Sequence, residues 1–395
     1  MKLYRLLVFA LLSLKLSAFA QNESLASIFT NAPRHPMVVP RRASILVIAC
    51  RGLACGDLSC YGQTNFQTPN LDRLAAEGTR FTDYRASSDD LFLAQTALLA
   101  GNNRAPAPAQ TTLAARLEQA GYCTGLIGEW RLDSQPWLQG FNEFAGFFNE
   151  SEAGNYYSDF LWRHIAYRVH DETNGAVQPW SGREQIHANT GGRQASYLPD
   201  IFLSAMANFI RLNVPDAANH YRPFFLLVSL PEPHSTVPGK DVYPVPTDAP
   251  FTGENWPQAA KNRAALLSRL DTDVGRLLEE LKSLEMTNNL AIFVTGSTAP
   301  EKFADASLNF LNLPGEVRGG DSPDHLRTPM IVRWPGHVPA GRVSTAPWTD
   351  ADFAPTALNI AYLQPPAGYT GHSVLPLLLG QLKTSNSLPP GSPAR

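Results

Sequence analysis

Cysteine is scarce. The four thiols in 395 residues, Cys50, Cys55, Cys60 and Cys123, do not make a disulfide framework for a chain of this size. The C-x4-C-x4-C spacing of the first three suits neither a zinc ribbon nor a thioredoxin-like pair. An excess of either charge is lacking as well. The sequence carries 32 Lys and Arg against 35 Asp and Glu, a net charge of −3. That balance gives no basic footprint for nucleic acid and no polybasic patch for an anionic membrane. No apolar run is long enough to cross about 30 Å of hydrocarbon as a helix, so no transmembrane segment is expected. Internal repeats are absent too. With 44% hydrophobic and 17% charged side chains, the composition is that of an ordinary globular chain.

What is present begins with a three-part N-terminus. Lys2 and Arg5 precede the apolar run from Leu6 to Leu14, and Ala18-Phe19-Ala20 supplies a small-x-small cleavage pattern, with Lys15 as an interruption. This predicts a signal peptide over 1–20, a mature chain starting near Gln21, and a secreted or periplasmic protein. A polar leader segment, 21–43, is dotted with Pro33, Pro36 and Pro40. Beyond Gly380 the chain turns Ser- and Pro-rich, which predicts a disordered tail over 381–395.

Residues 44–380 read as one α/β domain. Ser44 to Cys50 is a continuous apolar, β-branched run, the mark of a strand buried on both faces. Asn70 is placed as the cap of a helix that carries Leu71, Leu74 and Ala75 and stops at Gly78. Further strands are expected at 122–127, 223–229, 289–295 and 329–333. Helices are expected near 110–120, 200–212, 257–284 and 351–361. Strands alternating with helices imply a mostly parallel central sheet with helices on both faces. The stretch 133–199 has weak periodicity and reads as an excursion with little regular structure. In such sheets the chemistry sits on loops beyond the carboxyl ends of the strands. Here those loops follow Cys50, Ile127, Leu230 and Thr295.

Several loops are recognisable together. Gly56-Asp57-Leu58-Ser59-Cys60-Tyr61-Gly62, Thr68-Pro69-Asn70-Leu71-Asp72-Arg73-Leu74-Ala75 and Gly78-Thr79-Arg80-Phe81-Thr82 occur in that order. Ala97-Leu98-Leu99-Ala100-Gly101, Gly121-Tyr122, Pro233-His234, Arg333-Trp334-Pro335-Gly336 and Leu375-Pro376-Leu377 follow. In this order and spacing, from about residue 44 to 380, the chain resembles the formylglycine-dependent sulfatases. The resemblance implies an alkaline phosphatase/sulfatase-like fold, with the family's smaller C-terminal domain expected to be missing because the chain ends too soon.

The resemblance also says which side chains the chemistry would need. The family's nucleophile is a Cys or Ser within C/S-x-P-S-R, oxidised to formylglycine. Counting back from Ala97–Gly101 puts Leu91 at the nucleophile, Leu93 at the proline, Ala94 at the serine and Gln95 at the arginine. Leucine has no attacking atom. No other Cys or Ser begins a C/S-x-P-x-R match. Asp89 and Asp90 lie just upstream, but a carboxylate there would repel an anionic sulfate. The family's calcium is held by an Asp-Asp and an Asp-Asn pair, and those places read Arg51-Gly52 and Ser297-Thr298. A hard dication wants six to eight oxygens, several of them anionic, so no calcium or other cofactor is expected. The family's G-K-W-H appears as Gly128-Glu129-Trp130-Arg131, and its R-G-G-K as Arg318-Gly319-Gly320-Asp321. Only His234 of the expected polar machinery stands.

These differences share a logic: the metal side loses carboxylates and gains Arg51, while the sulfate side loses cations and gains Glu129 and Asp321. A pocket of Arg51, Glu129, Arg131, His234, Arg318 and Asp321 could stay near neutrality, which burial demands. Arg51 is then expected within about 4 Å of a Glu129 or Asp321 carboxylate oxygen. The alternative is independent drift, with the charges pointing to solvent. The resulting expectation is an exported, catalytically inactive sulfatase-like protein. Three classes of function remain open. A protein binding a sugar or another small ligand would line its cleft with Trp130, Trp137, Tyr156 or Tyr157. A regulatory relative would have a partner or dimer mate over the face left by the missing domain. A sulfuric ester or other hydrolase would be rebuilt around His234, Asp89 or Arg131, with an acid within hydrogen-bond reach of the histidine.

Overall fold

A computed structural model describes residues 42–102, 112–153, 155–166 and 179–381. The expected signal peptide, the leader up to residue 41 and the tail from 382 lie outside the described residues. Strand β1 (Ser44–Arg51) is the apolar run, buried from Ser44 to Cys50 and half-buried only at Arg51. Helix α1 (Pro69–Ala76) starts before the expected cap. Thr68 precedes it and Pro69 takes the first position, where its missing N–H costs nothing. Asn70 is inside the helix and donates through its side chain to Asp271 at 2.9 Å. Then come β2 (Thr79–Phe81), β3 (Tyr84–Arg85), α2 (Leu91–Ala100), α3 (Leu113–Gln119) and β4 (Cys123–Glu129).

The expected excursion over 133–199 is corrected by the structure. It holds β5 (Glu143–Phe147), α4 (Glu150–Ala153), β6 (Phe160–Ile165) and β7 (Trp180–Gln185). β5 pairs with β4 in parallel, and β6 and β7 extend the sheet antiparallel. Periodicity hid them because it reports burial, and β7 is exposed at every position but Gly182. Backbone pairing with β6 holds β7, helped by the Arg183 guanidinium 3.5 Å from the Phe160 ring centroid.

The remaining elements are α5 (Leu198–Leu212), β8 (Phe224–Pro233), α6 (Gln258–Ser283), β9 (Leu290–Gly296) and β10 (Met330–Arg333). After them come β11 (Arg342–Ser344), β12 (Trp348–Thr349), α7 (Asp350–Ile360) and α8 (Leu375–Leu378). Ten strands form one sheet in the order β11-β2-β10-β9-β1-β8-β4-β5-β6-β7. The run from β9 to β5 is parallel throughout, and β10 joins it antiparallel. Successive side chains of β1 go to opposite faces, as period two requires. Leu46 and Ile48 pack with Leu71 of α1, Phe202 of α5 and Leu266 of α6. Ile45 and Val47 pack with Leu99 of α2, Leu117 of α3 and Phe353 of α7. Each such side chain contributes roughly 1.5–3 kcal/mol when fully buried, so helices on both faces are what keep the sheet closed to water. No described helix is long and apolar enough to cross a membrane.

Parallel pairing sets the carboxyl ends of β9, β1, β8 and β4 side by side. One glycine makes the last of these contacts possible. Gly128 has φ +107°, and a Cβ there would lie 1.9 Å from the Ser229 carbonyl oxygen.

Candidate functional site

Arg51 ends β1, Glu129 ends β4, His234 follows β8 and Ser297 follows β9. The Arg51 and Glu129 side chains meet where the strand ends do. Arg51 Nη1 lies 3.6 Å from Glu129 Oε1, and Arg131 Nη2 lies 3.3 Å from the same oxygen. The Glu129 side chain is 1% exposed, against 13% for Arg51 and 18% for Arg131. A carboxylate that deep in the fold is tolerable only when paired. Asp321, the other acid expected near Arg51, is exposed, and the acid that Arg51 meets is Glu129. The reason is local: Gly319 and Gly320, at φ +63° and +94°, turn the chain so that Arg318 goes inward and Asp321 outward.

Arg318 also belongs elsewhere. Its Nη2 donates to Asp57 Oδ1 at 3.1 Å and its Nε to Glu316 Oε2 at 3.1 Å. Arg263, from the buried face of α6, donates to Asp57 Oδ2 at 2.7 Å and to the Pro233 carbonyl at 2.9 Å. Burial works against ionising Asp57, but the two guanidinium groups hold its carboxyl below the usual range. This cluster ties the loop after β1 to the end of β8.

The start of α2 carries the positions counted for the nucleophile. Asp90 is the N-cap, and its Oδ1 accepts from the Leu93 backbone N at 3.0 Å. Leu91 is the first helical residue and 4% exposed. Leu93 is exposed, Ala94 is buried, and Asp89 faces solvent. Gln95 is buried and fully engaged. Its Nε2 donates to the Glu129 carbonyl at 2.7 Å and to Ser229 Oγ at 3.0 Å, while its Oε1 accepts from the Arg131 N at 2.9 Å. Gln95 therefore braces the end of β4 against α2 and β8.

The four positions that the resemblance assigns to calcium ligands lie together at the ends of β1 and β9. The Gly52 N donates to Thr298 Oγ1 at 3.1 Å, and the Ser297 N donates to the Cys50 carbonyl at 2.9 Å. Two hydroxyls and a guanidinium are the wrong donor set for a hard dication. Among the described residues no three His, Cys, Asp or Glu gather in a way that could hold a metal. These residues do not fit calcium.

His234 brings in a residue that sequence reasoning missed. Its Nδ1 is 2.7 Å from the Ser235 carbonyl oxygen, and its Nε2 is 2.5 Å from Glu301 Oε1. Burial raises the Glu301 carboxyl, but the hydrogen bond and charge of His234, with Arg51 beyond, bring it below its ordinary value. Glu301 sits on the loop after β9, a loop worth inspecting, yet no motif marks it. Glu232, also unforeseen, is buried on β8, and burial pushes its carboxyl up to about 8. The aromatic lining is corrected as well: Trp130 and Tyr156 are core residues, and Trp137 and Tyr157 are only partly exposed. Large flat rings find more apolar contact inside than at a cleft rim.

Known proteins share this build. The sulfatase family model matches residues 45–362. N-acetylgalactosamine-6-sulfatase of Canis lupus familiaris is 28% identical over 376 residues, covering 86% of this chain and 67% of its own. Arylsulfatase A of Homo sapiens is 27% identical over 374 residues, covering 88% and 70%. The chain thus spans about two thirds of the length of these curated relatives. The structure of Ps i-CgsB in complex with k-i-k-neocarrahexaose superposes with a TM-score of 0.66 at 20% identity, over 87% of this chain and 78% of that one.

Proposed function

We propose that this chain, which belongs to the sulfatase family, is an exported member that does not hydrolyse sulfate esters and instead binds a saccharide at the carboxyl end of its sheet. The observation that carries the reading is the Glu129 carboxylate between Arg51 and Arg131. An arginine and its buried partner stand where the resemblance asks for calcium ligands and a sulfate-grasping lysine. Leu91 has no atom that could attack sulfur, and no metal enters the scheme. Export is proposed on the N-terminal pattern from Lys2 to Ala20. A saccharide is proposed because relatives are named for N-acetylgalactosamine 6-sulfate and one structural neighbour holds neocarrahexaose; with Trp130 and Tyr156 in the core, polar side chains rather than aromatic rings would contact it. The test is an aryl sulfate assay on purified protein, with and without calcium, beside a glycan-binding screen. The expected result is no hydrolysis above buffer and retention of at least one glycan. Turnover of about 1 per second or faster, an ordinary enzyme rate, would overturn the reading.

A second reading draws on the 2.5 Å contact between His234 Nε2 and Glu301 Oε1. A histidine oriented by a carboxylate is a general base in the making, and a hydrolase using it would act on an ester other than sulfate. A hydrolysis panel read against His234→Ala decides this: an activity lost in that variant supports it.

A further inference from the structure

Three groups at this end of the sheet would draw in an anion: the amino end of α2, the Arg51 and Arg131 guanidinium groups, and His234 when protonated. Each already meets a carboxylate of the chain itself. Asp90 Oδ1 caps α2 through the Leu93 N at 3.0 Å. Glu129 Oε1 takes both arginines, at 3.6 and 3.3 Å. Glu301 Oε1 takes His234 at 2.5 Å. Asp90 is exposed and the Glu301 side chain is 41% exposed, so two of the three carboxylates present negative charge to anything arriving.

We infer that this end of the sheet selects an uncharged saccharide and rejects its sulfated counterpart, an inference that rests on the binding role proposed above. A sulfate group entering here meets like charge at Asp90 and Glu301, and like charges brought together across an interface are a strong bar to binding. To take Glu129's place between the guanidinium groups it would have to strand a buried carboxylate. An uncharged polyol meets neither obstacle. Its hydroxyls donate to carboxylate oxygens and accept from guanidinium N–H groups, both planar partners for adjacent hydroxyls. Preference for the unsulfated sugar is the reverse of what a sulfatase needs of its substrate.

The experiment uses the full protein on an array of uncharged oligosaccharides, each printed beside its sulfated counterpart, followed by calorimetric titration of the strongest pair. The uncharged form is expected to bind about tenfold more tightly or better, with the gap narrowing as salt is raised. Asp90→Asn keeps the cap while removing charge, and with Glu301→Gln it should bring the two forms close to equal affinity. A thermal melt checks that this double variant folds, and Glu301→Gln alone serves if it does not, with a smaller narrowing expected. Preferential retention of sulfated glycans would overturn the inference and leave the binding role standing. A gap unchanged in the variants would also overturn it, since the carboxylates would not be its source. Retention of neither form would remove the binding role, and the inference with it.

Discussion

The Arg51 guanidinium and the Glu129 carboxylate face each other at 3.6 Å across the ends of two strands, β1 and β4, that are separated in the sheet by β8. Arg131 shares the same oxygen, so the two arginines back each other up. Arg51→Ala alone should cost only about 1–2 kcal/mol, because Arg131 still pairs the acid. Arg51→Ala with Arg131→Ala should cost roughly 3–5 kcal/mol by leaving Glu129 buried and unpaired. Urea denaturation of both single variants and the double variant measures this as a cycle. Strictly additive effects would show that the two arginines do not share one carboxylate.

Asp57 holds the buried groups Arg263 and Arg318 together. Asp57→Ala leaves buried Arg318 with Glu316 as its acid and buried Arg263 with only the Pro233 carbonyl, and should cost about 3–5 kcal/mol, measured by thermal unfolding. Asp57→Asn keeps the shape and should cost less. Because its folded carboxyl lies below the ordinary value, the Asp57 contribution is present above the unfolded value and is lost as pH falls through the folded one.

Glu232 works in the opposite sense. Burial lifts its carboxyl from 4.5 to about 8, with the charges of Asp273 and Glu129 adding to the lift and a backbone hydrogen bond opposing it. The folded state therefore holds this proton more tightly than the unfolded chain. Its contribution is full below about 4.5 and is lost as pH rises to about 8. Stability should decline by a few kcal/mol, to order of magnitude, between pH 5 and 8. Glu232→Gln should remove roughly half of that slope in urea titrations. The rest should remain from Asp350, lifted to about 7, and Asp273, lifted to about 6, in each case chiefly by burial. Equal slopes in the two proteins would rule Glu232 out as the source.

Leu91→Cys with Gln95→Arg should yield no aryl sulfatase activity, even when co-expressed with a formylglycine-generating enzyme, since Arg51, Gly52, Ser297 and Thr298 do not offer the anionic oxygens calcium needs. Gln95→Arg should also cost about 1–3 kcal/mol, because the Arg131 N loses its buried acceptor and arginine offers none. Millimolar calcium should leave the melting temperature of the unaltered protein in place. An upward shift that disappears in Thr298→Ala would show that calcium binds at this junction after all.

Much of this was legible in sequence where burial writes a pattern. The run from Ser44 to Cys50 is hidden on both faces and reads as a strand at once. The Arg51–Glu129 contact could be foreseen because parallel strand ends are neighbours. Asp321 could not be placed correctly, because the turn at Gly319 and Gly320 reverses which side chains face inward. β5 to β7 were hidden for want of apolar contrast, most of all in exposed β7. Glu301 was invisible because a loop carboxylate has no pattern, and only folding brings it to His234.

Strand β1 is made early and completed late. Its two neighbours in the sheet are β8 and β9, so some 170 residues must leave the ribosome after Arg51 before Phe224 can offer the first of them. At roughly 5–20 residues per second that is a wait of about 10–35 s. Throughout it, one of the most water-averse stretches of the chain has no sheet to join. During synthesis this segment is where a chaperone should bind first. It is also where overexpression without one should first turn into inclusion bodies.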